Sequence, residues 1–255
     1  MRNSFRHFLN LSELKTKDLK IILEESHKIK KGKSKKFKSK KILAMIFEKP
    51  STRTRVSFEV GMKLLNGDVV ILDTNETQIG RGESLEDTMR VLSRYVDIVV
   101  YRGACEKKLY KLAELSTVPL INGLTDISHP CQILADIMTL QENFESIESL
   151  KICWIGDGNN VCNSWIHSCE HFDYEFNISC PPGNFPGKKV TSQIKSRNVN
   201  FFENPSEAVV GADIIITDTW VSMGMTDDPK RIRKFKNFQI NKELIKKSSK
   251  NTFFL

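Results

Sequence analysis

At 255 residues the chain has room for one large or two ordinary domains, each with a core of its own. A hydrophobic content of 40% and a charged content of 27% describe a soluble globular protein, and no apolar run approaches the roughly 20 residues that span a bilayer. The net charge of +8 gathers in Lys28–Lys41, where nine lysines accompany one aromatic residue and no arginine. A nucleic-acid surface mixes arginine and aromatic side chains into such a patch, so this one reads as a solvated face and no nucleic-acid partner is expected. A basic nucleic-acid-binding protein using this stretch is the alternative from another class. The N-terminus, Met-Arg-Asn-Ser-Phe-Arg-His, lacks an apolar signal core, so a cytoplasmic location is expected. Six cysteines (Cys105, Cys131, Cys153, Cys162, Cys169 and Cys180) form no C-x-x-C pair and are expected to be reduced and structural.

In chain order, Leu11, Leu14, Leu19, Ile22 and Leu23 mark an amphipathic helix within 11–31, and 31–41 reads as an exposed connection. Ile42–Phe47 is a short apolar run bounded by charge, which predicts a buried strand. Pro50 has no N–H and a preset φ, so it suits the opening of a helix. Phe58, Met62 and Leu65 then recur at helical spacing, with Gly67 as the stop. Short β-rich runs at 69–72, 98–101 and 118–121 alternate with helical patterns at 85–95 and 108–115. A longer helix over 131–143 leads into a second alternating series at 152–155, around Ile178, at 199–202 and at 214–217. Alternation of this kind predicts an α/β fold. Two domains are expected, 1–132 and 133–255, each a parallel β-sheet flanked by helices and joined through the helix after His129.

Polar clusters follow six of these strands. They are Lys49–Arg55, Gln78–Ser84, Arg102, His129–Gln132, Gly156–Asn160 and Asp218–Gly224. Open parallel sheets bind ligands beyond the carboxyl ends of their strands, so the clusters predict an active site in the interdomain cleft. Each has an ordinary structural reading when taken alone. Ser51–Thr54 and an Arg55–Glu59 surface pair could be capping and i,i+4 pairing. Arg102 could pair with Glu106, His129 before Pro130 could be a satisfied structural residue, and Asn159-Asn160 could be a turn and helix cap. The functional reading seats a phosphate dianion on the helix start at Ser51, Thr52, Arg53 and Thr54, with Arg102, His129 and Gln132 as further donors. Gly156-x-Gly158 is not a dinucleotide fingerprint, because Val161 stands where the third glycine belongs. Lys33-Ser34 lacks the first glycine of a P-loop. His167-Ser-Cys-Glu-His171 matches an inverted zinc-protease spacing but lies away from the strand ends.

Together, Phe47-Glu-Lys-Pro-Ser-Thr-Arg-Thr-Arg55, His129-Pro-Cys-Gln132 and Asp218-x-Trp-x-Ser-Met-Gly224 resemble the aspartate/ornithine carbamoyltransferase family over almost the whole chain and in the family's order. The last string and Gly156-Asp-Gly-Asn-Asn160 point to its ornithine branch, in arginine metabolism. The resemblance implies that Ser51, Thr52, Arg53 and Thr54 bind the phosphate of carbamoyl phosphate. Arg102, His129, Pro130, Cys131 and Gln132 would surround its carbamoyl group, with Arg102 and His129 stabilising the oxygen on which charge gathers. Gln78 looks like the residue this family donates across a subunit interface, which implies a homotrimer. Asn160, Asp218, Ser222 and Met223 would hold the amino-acid head of L-ornithine. No metal or organic cofactor is implied. Aspartate-type and putrescine-type carbamoyltransferases, and a non-catalytic carbamoyl-phosphate-binding subunit, are the alternatives. After Thr252-Phe253-Phe254-Leu255 the family continues into a His-Cys-Leu-Pro loop, a later Arg and a C-terminal helix, none of which is present. A truncated chain with the family's architecture and little or no turnover is therefore expected.

Overall fold

Six consecutive apolar residues, Ile42–Phe47, cannot alternate between core and solvent, so their strand has to be covered on both faces. In the computed structural model, which describes residues 6–33, 36–73, 82–221 and 228–255, that strand is β1 (Ile42–Phe47). Leu43, Met45 and Phe47 pack with Met62 and Val100 on one face. Ala44 and Ile46 pack with Leu85, Met89, Val99, Leu109 and Leu112 on the other.

The chain divides into two compact units, Met1–Cys131 and Gln132–Leu255. The first runs α1 (Thr16–Lys30), β1, α2 (Thr52–Leu64), β2 (Asp68–Asp73), α3 (Leu85–Leu92), β3 (Ile98–Arg102), α4 (Glu106–Leu115) and β4 (Leu120–Leu124). Its four strands are parallel in the order β2-β1-β3-β4. Helix α5 (Pro130–Asn143) carries the chain onward, with Pro130 at the first helical position, where a missing N–H costs nothing. The second unit contains β5 (Lys151–Ile155), α6 (Asn160–Ser168), β6 (Glu175–Ser179), α7 (Lys188–Thr191), β7 (Val199–Phe202), α8 (Pro205–Ala208), β8 (Ile214–Ile216), α9 (Pro229–Phe235), α10 (Lys242–Ile245) and β9 (Phe253–Phe254). Its five strands are parallel in the order β7-β6-β5-β8-β9. The two-sheet α/β fold expected from the alternation is the one observed.

In each sheet the direction of winding reverses beside one strand. Successive crossovers leave β1 for opposite sides in the first unit, and β5 in the second. The helices after neighbouring strands then cover opposite faces, and a crevice opens at the carboxyl ends. The same carboxylate device registers both reversals. Asp97 accepts from the Ile42 N–H at 2.9 Å and from Lys41 Nζ at 2.7 Å, while its own N–H donates to the Ile42 carbonyl. Asp213 accepts from the Lys151 N–H at 2.9 Å and donates its N–H to the Lys151 carbonyl.

Several boundaries differ from the sequence reading for local reasons. The helix expected over 11–31 begins at Thr16, after a 3-10 turn at Leu11–Glu13. Helix α2 stops at Leu64, and the left-handed residue that turns the chain is Asn66 (φ 67°), not Gly67. Gly67 is required for another reason: a Cβ there would lie 2.5 Å from Met62 Cε and 2.9 Å from the Lys41 carbonyl.

In the second unit the fully buried Trp165 stacks on Phe176, with ring centroids 5.9 Å apart, and meets Tyr174 edge-on at 5.8 Å. Trp165→Ala is expected to cost about 3–5 kcal/mol, read from the urea unfolding transition of this unit. A loss below about 1 kcal/mol would contradict the packing described.

Candidate active site

The site-bearing residues of the first unit lie at the carboxyl ends of β1 and β3, beside the winding reversal. Ser51 is the N-cap of α2, extended at φ −162°, and its Oγ accepts from the Thr54 N–H at 3.3 Å. No acidic residue occupies the first turn, so the positive end of the helix dipole is not neutralised from within the helix. Arg102 ends β3 and is 5% exposed. Its Nη1 donates to Thr54 Oγ1 at 2.9 Å, and its buried Nε has no hydrogen-bond partner. Among the described residues no carboxylate comes within ion-pair distance of it. Burial, and then the neighbouring Arg53 guanidinium, lower the Arg102 pKa.

His129 joins this group from the loop after β4. Thr125 Oγ1 accepts from the N–H groups of Ile127 and Ser128, and Asn122 Nδ2 donates to Ser128 Oγ at 3.0 Å and to the Leu9 carbonyl at 2.9 Å. That turn delivers a half-buried imidazole whose pKa is lowered to about 4, by burial first and by Arg102 second. His129 is therefore neutral at pH 7. Cys131 donates its thiol to the Asn122 carbonyl at 3.5 Å, and burial pushes that thiol up to about 12, so it is no thiolate nucleophile.

The carboxylates near these groups are engaged by other cations. Glu48 receives Lys108 Nζ at 2.5 Å and the Tyr101 hydroxyl, while its N–H donates to the Arg102 carbonyl at 2.9 Å. Lys49 pairs with Asp126 at 2.9 Å. The Arg55–Glu59 pair allowed by the spacing does not form. Arg55 lies over the Phe47 ring, 5.7 Å from its centroid, and reaches Asp73 at 3.6 Å, while Glu59 takes Lys63 at 2.6 Å.

In the second unit the clusters after β5 and β8 come together. Asn159 caps α6, its Oδ1 accepting from the N–H groups of Val161 and Cys162, and its Nδ2 donates to Asp218 Oδ2 at 2.8 Å. The side chain that reaches Asp218 is thus Asn159, and Asn160 is the first residue of the helix. A Cβ on Gly158 would lie 2.5 Å from Pro186 N, so only glycine lets the 184–186 segment approach. Gln132 Nε2 donates to Asp136 at 2.8 Å. The Asp136 pKa is pushed up to about 6 by burial, with Asp218 also raising it and the Gln132 bond lowering it. Gln78, Ser222 and Met223 lie outside the described residues.

Sequence reasoning read Asn159 as no more than a turn or helix cap, which it is, and gave no site role to it, Asp136, Asp157 or Arg231. Asp136 stands one helical turn beyond Gln132, so that signal was present. Arg231 lies on a separate short helix and gave none. The zinc-protease spacing is broken, because α6 ends at Ser168 and His171 falls beyond it. Among the described residues no group of three or more His, Cys, Asp and Glu side chains could hold a metal ion. Nor is any helix among them long and apolar enough to cross a membrane.

Residues 6–142 match the family description "Aspartate/ornithine carbamoyltransferase, carbamoyl-P binding domain", and residues 148–255 match its "Asp/Orn binding domain". An ornithine carbamoyltransferase of Rhodopseudomonas palustris (strain BisA53) is 46% identical, the match covering 100% of this chain and 85% of the relative. That of Brucella ovis is 41% identical, over 99% of this chain and 83% of the relative. Among solved structures, the ornithine carbamoyltransferase of Pyrococcus furiosus superposes with a TM-score of 0.90 at 39% identity, covering 98% of this chain and 83% of that one. The anabolic enzyme of Campylobacter jejuni gives 0.91 at 32%, covering 98% and 85%. These relatives, matched along the whole chain, lend no support to the expectation of low turnover.

The His129 shift has a definite sign. Between pH 6.5 and about 4 the unfolded chain takes a proton that the folded imidazole refuses, so His129 lowers stability as pH falls through that window and is neutral in both states above it. An NMR titration of the His129 ring is expected to show a midpoint near 4. Arg102→Met is expected to raise that midpoint only part of the way to 6.5, since burial remains. A midpoint near 6.5 in the unaltered protein would refute the environment described.

Proposed function

The chain belongs to the aspartate/ornithine carbamoyltransferase family, and on that premise we propose how its residues divide the work. It transfers the carbamoyl group of carbamoyl phosphate to the side-chain amine of L-ornithine, giving L-citrulline and phosphate. In our assignment residues 1–132 bind carbamoyl phosphate and 133–255 bind ornithine, in keeping with the descriptions of the two family domains.

One observation carries the assignment: a buried guanidinium with no carboxylate partner among the described residues, hydrogen-bonded to the first turn of a capped helix, with Arg53 and His129 beside it. Ser51, Thr52, Arg53 and Thr54 take the phosphate, where the helix dipole and charge-assisted bonds favour a dianion. Arg102 and His129 face the carbonyl oxygen. The uncharged amine of ornithine attacks the carbonyl carbon, a C–N bond forms and charge gathers on that oxygen. Arg102 meets the charge as a cation, and His129 meets it as a neutral N–H donor. The bond between the carbonyl carbon and the bridging oxygen then breaks, phosphate leaves with that oxygen and the bonding pair, and the proton shed by the amine passes to it. Gln132, Pro130 and Cys131 border the carbamoyl group. On the second unit, Asp218 receives the α-ammonium of ornithine, with Asn160, Ser222 and Met223 completing the head-group contacts. The paired carboxylates Asp136 and Asp218 give this region a negative field, which suits a cationic acceptor and opposes aspartate.

We also propose a cytoplasmic homotrimer. Supporting it, Val56, Val60 and Leu64 form a stripe along α2 and are 53%, 48% and 64% exposed, more apolar surface than a lone helix face leaves in water without a partner. Gln78, the residue expected to cross between subunits, follows β2 in sequence. Val60→Glu combined with Leu64→Glu is expected to convert trimer to monomer in sedimentation velocity, and an unchanged trimer would remove this stripe from the interface.

For the site itself, Arg53→Ala is expected to abolish carbamoyl phosphate binding by calorimetry while leaving the circular dichroism spectrum and melting temperature unaltered. Unchanged affinity would overturn the phosphate assignment.

A further inference from the structure

Of the groups assigned to the ornithine head, Asp218 rides on the loop Thr217–Val221 after β8, and Asn160 opens the helix that follows the loop Gly156–Asn159 after β5. The backbone ladder joining those strands ends at Trp154 and Ile216. Beyond that point, among the described residues, side chains join the two segments. Thr217 Oγ1 donates to the Ile155 carbonyl at 2.7 Å, and Asn159 Nδ2 donates to Asp218 Oδ2 at 2.8 Å. A third link runs through Arg231 of α9. Its Nη2 donates to Asp157 Oδ2 at 2.5 Å and its Nε to the Trp220 carbonyl at 2.5 Å. The guanidinium lies over the Phe235 ring, 4.9 Å from its centroid, and Trp220 stacks on the same ring at 5.9 Å.

Asp157 is itself held from other sides. Its Oδ1 accepts from Asn184 Nδ2 at 2.9 Å, and its carbonyl accepts from Trp154 Nε1 at 3.0 Å. The Arg231 and Asp157 side chains are only 20% and 13% exposed, so solvent screens their attraction weakly. On the other loop, Asp218 Oδ1 accepts from the Thr219 N–H at 2.7 Å. The Asp218 carboxylate is therefore aimed by its own loop, and that loop is anchored two residues later by Arg231.

We propose that Arg231 is a positioning residue: it latches the Asp218 loop to the Asp157–Asn159 loop and thereby sets the affinity for the amino-acid head of the acceptor, without touching it. The proposal rests on the assignment of Asp218 to the α-ammonium. Two of its five N–H donors are engaged by the two loops, one on Nη2 by a carboxylate and the one on Nε by a carbonyl, and those bonds give it a holding role. Two bonds in diverging directions from one plane stacked on an aromatic ring are a task for arginine. A lysine ammonium, a point charge on a flexible stem, can make either bond but cannot reproduce the plane.

The test uses the full chain with the variants Arg231→Met, Arg231→Lys, Asp157→Asn and Asp218→Asn in steady-state assays of citrulline formation. Arg231→Met is expected to raise the KM for ornithine about tenfold or more while kcat changes less than about threefold. The KM for carbamoyl phosphate, served by residues of the first unit and by Gln132, is expected to hold within about twofold. Arg231→Lys recovers part of the loss. Asp157→Asn, nearly isosteric, raises the ornithine KM in the same sense and keeps the test alive if Arg231→Met does not fold. The double variant Asp157→Asn with Arg231→Met is no worse than the worse single one, because both cut one link. Inhibition by L-2-aminopentanoate, which has the head group of ornithine and lacks its side-chain amine, weakens by the same factor as the KM rises. The latch is overturned if Arg231→Met leaves the ornithine KM within about twofold, or raises both KM values together with a lower melting temperature. If Asp218→Asn leaves the ornithine KM unchanged, the assignment of Asp218 fails. If Asp218→Asn raises it and Arg231→Met does not, the latch alone fails.

Discussion

A permanent positive charge buried at the tip of β3, with no acid to answer it among the described residues, governs the first unit. Arg102 cannot shed its proton, and among the described residues its removal from water is offset by one hydroxyl and the field of the surroundings. Such a group is tolerated where an anion regularly supplies what the protein withholds. The arrangement around it follows from that imbalance. The helix start at Ser51 presents its positive end, the nearby acids Glu48 and Asp126 are occupied by Lys108 and Lys49, and the imidazole of His129 stays uncharged, first because it is buried and second because Arg102 is near.

The second unit poses the opposite problem with the same architecture. Its winding reversal beside β5 brings together Asp157, Asp218 and, from α5, Asp136. One of these charges is answered by Arg231. The other two remain near each other, and Asp136 resists ionisation, chiefly because it is buried and in smaller part because of Asp218. A single chain thus builds one unit short of negative charge and one with a surplus of it. This matches a reaction in which a doubly charged acyl phosphate meets a diamino acid.

Much of this is legible in the amino-acid sequence alone. Runs such as Ile42–Phe47 and Ile152–Ile155 are too short for helices and too uniformly apolar for half-exposed strands, which leaves buried parallel β-structure. The polar strings that follow them fall at strand ends by necessity, so Ser51–Thr54, Arg102 and His129 can be gathered from their order in the chain. The short segments of the second unit are harder to read because nothing periodic marks them. Helices α7, α8 and α10 have four residues each, less than two turns, and their positions are set by packing. The choice between Asn159 and Asn160 is likewise out of reach, since it depends on which of two adjacent amides becomes the helix cap. Arg231 cannot be read at all: a basic residue among Lys230, Arg233 and Lys234 looks like solvent-facing charge until its partners on distant loops are known.

The carboxylate at the foot of β3 has an effect felt at the other end of the strand. Asp97 grips the first residue of β1 by both backbone and side chain, and Arg102 lies one short strand further on. Parallel strands offer no hairpin to fix their stagger, and a slip of a single residue would advance β3 by about 3.3 Å and turn every side chain to the opposite face. Arg102 would then point into oil rather than toward Thr54. Asp97 therefore acts as the zero mark of a ruler whose far graduation is the guanidinium, and chemistry at one rim of the sheet is calibrated from the other.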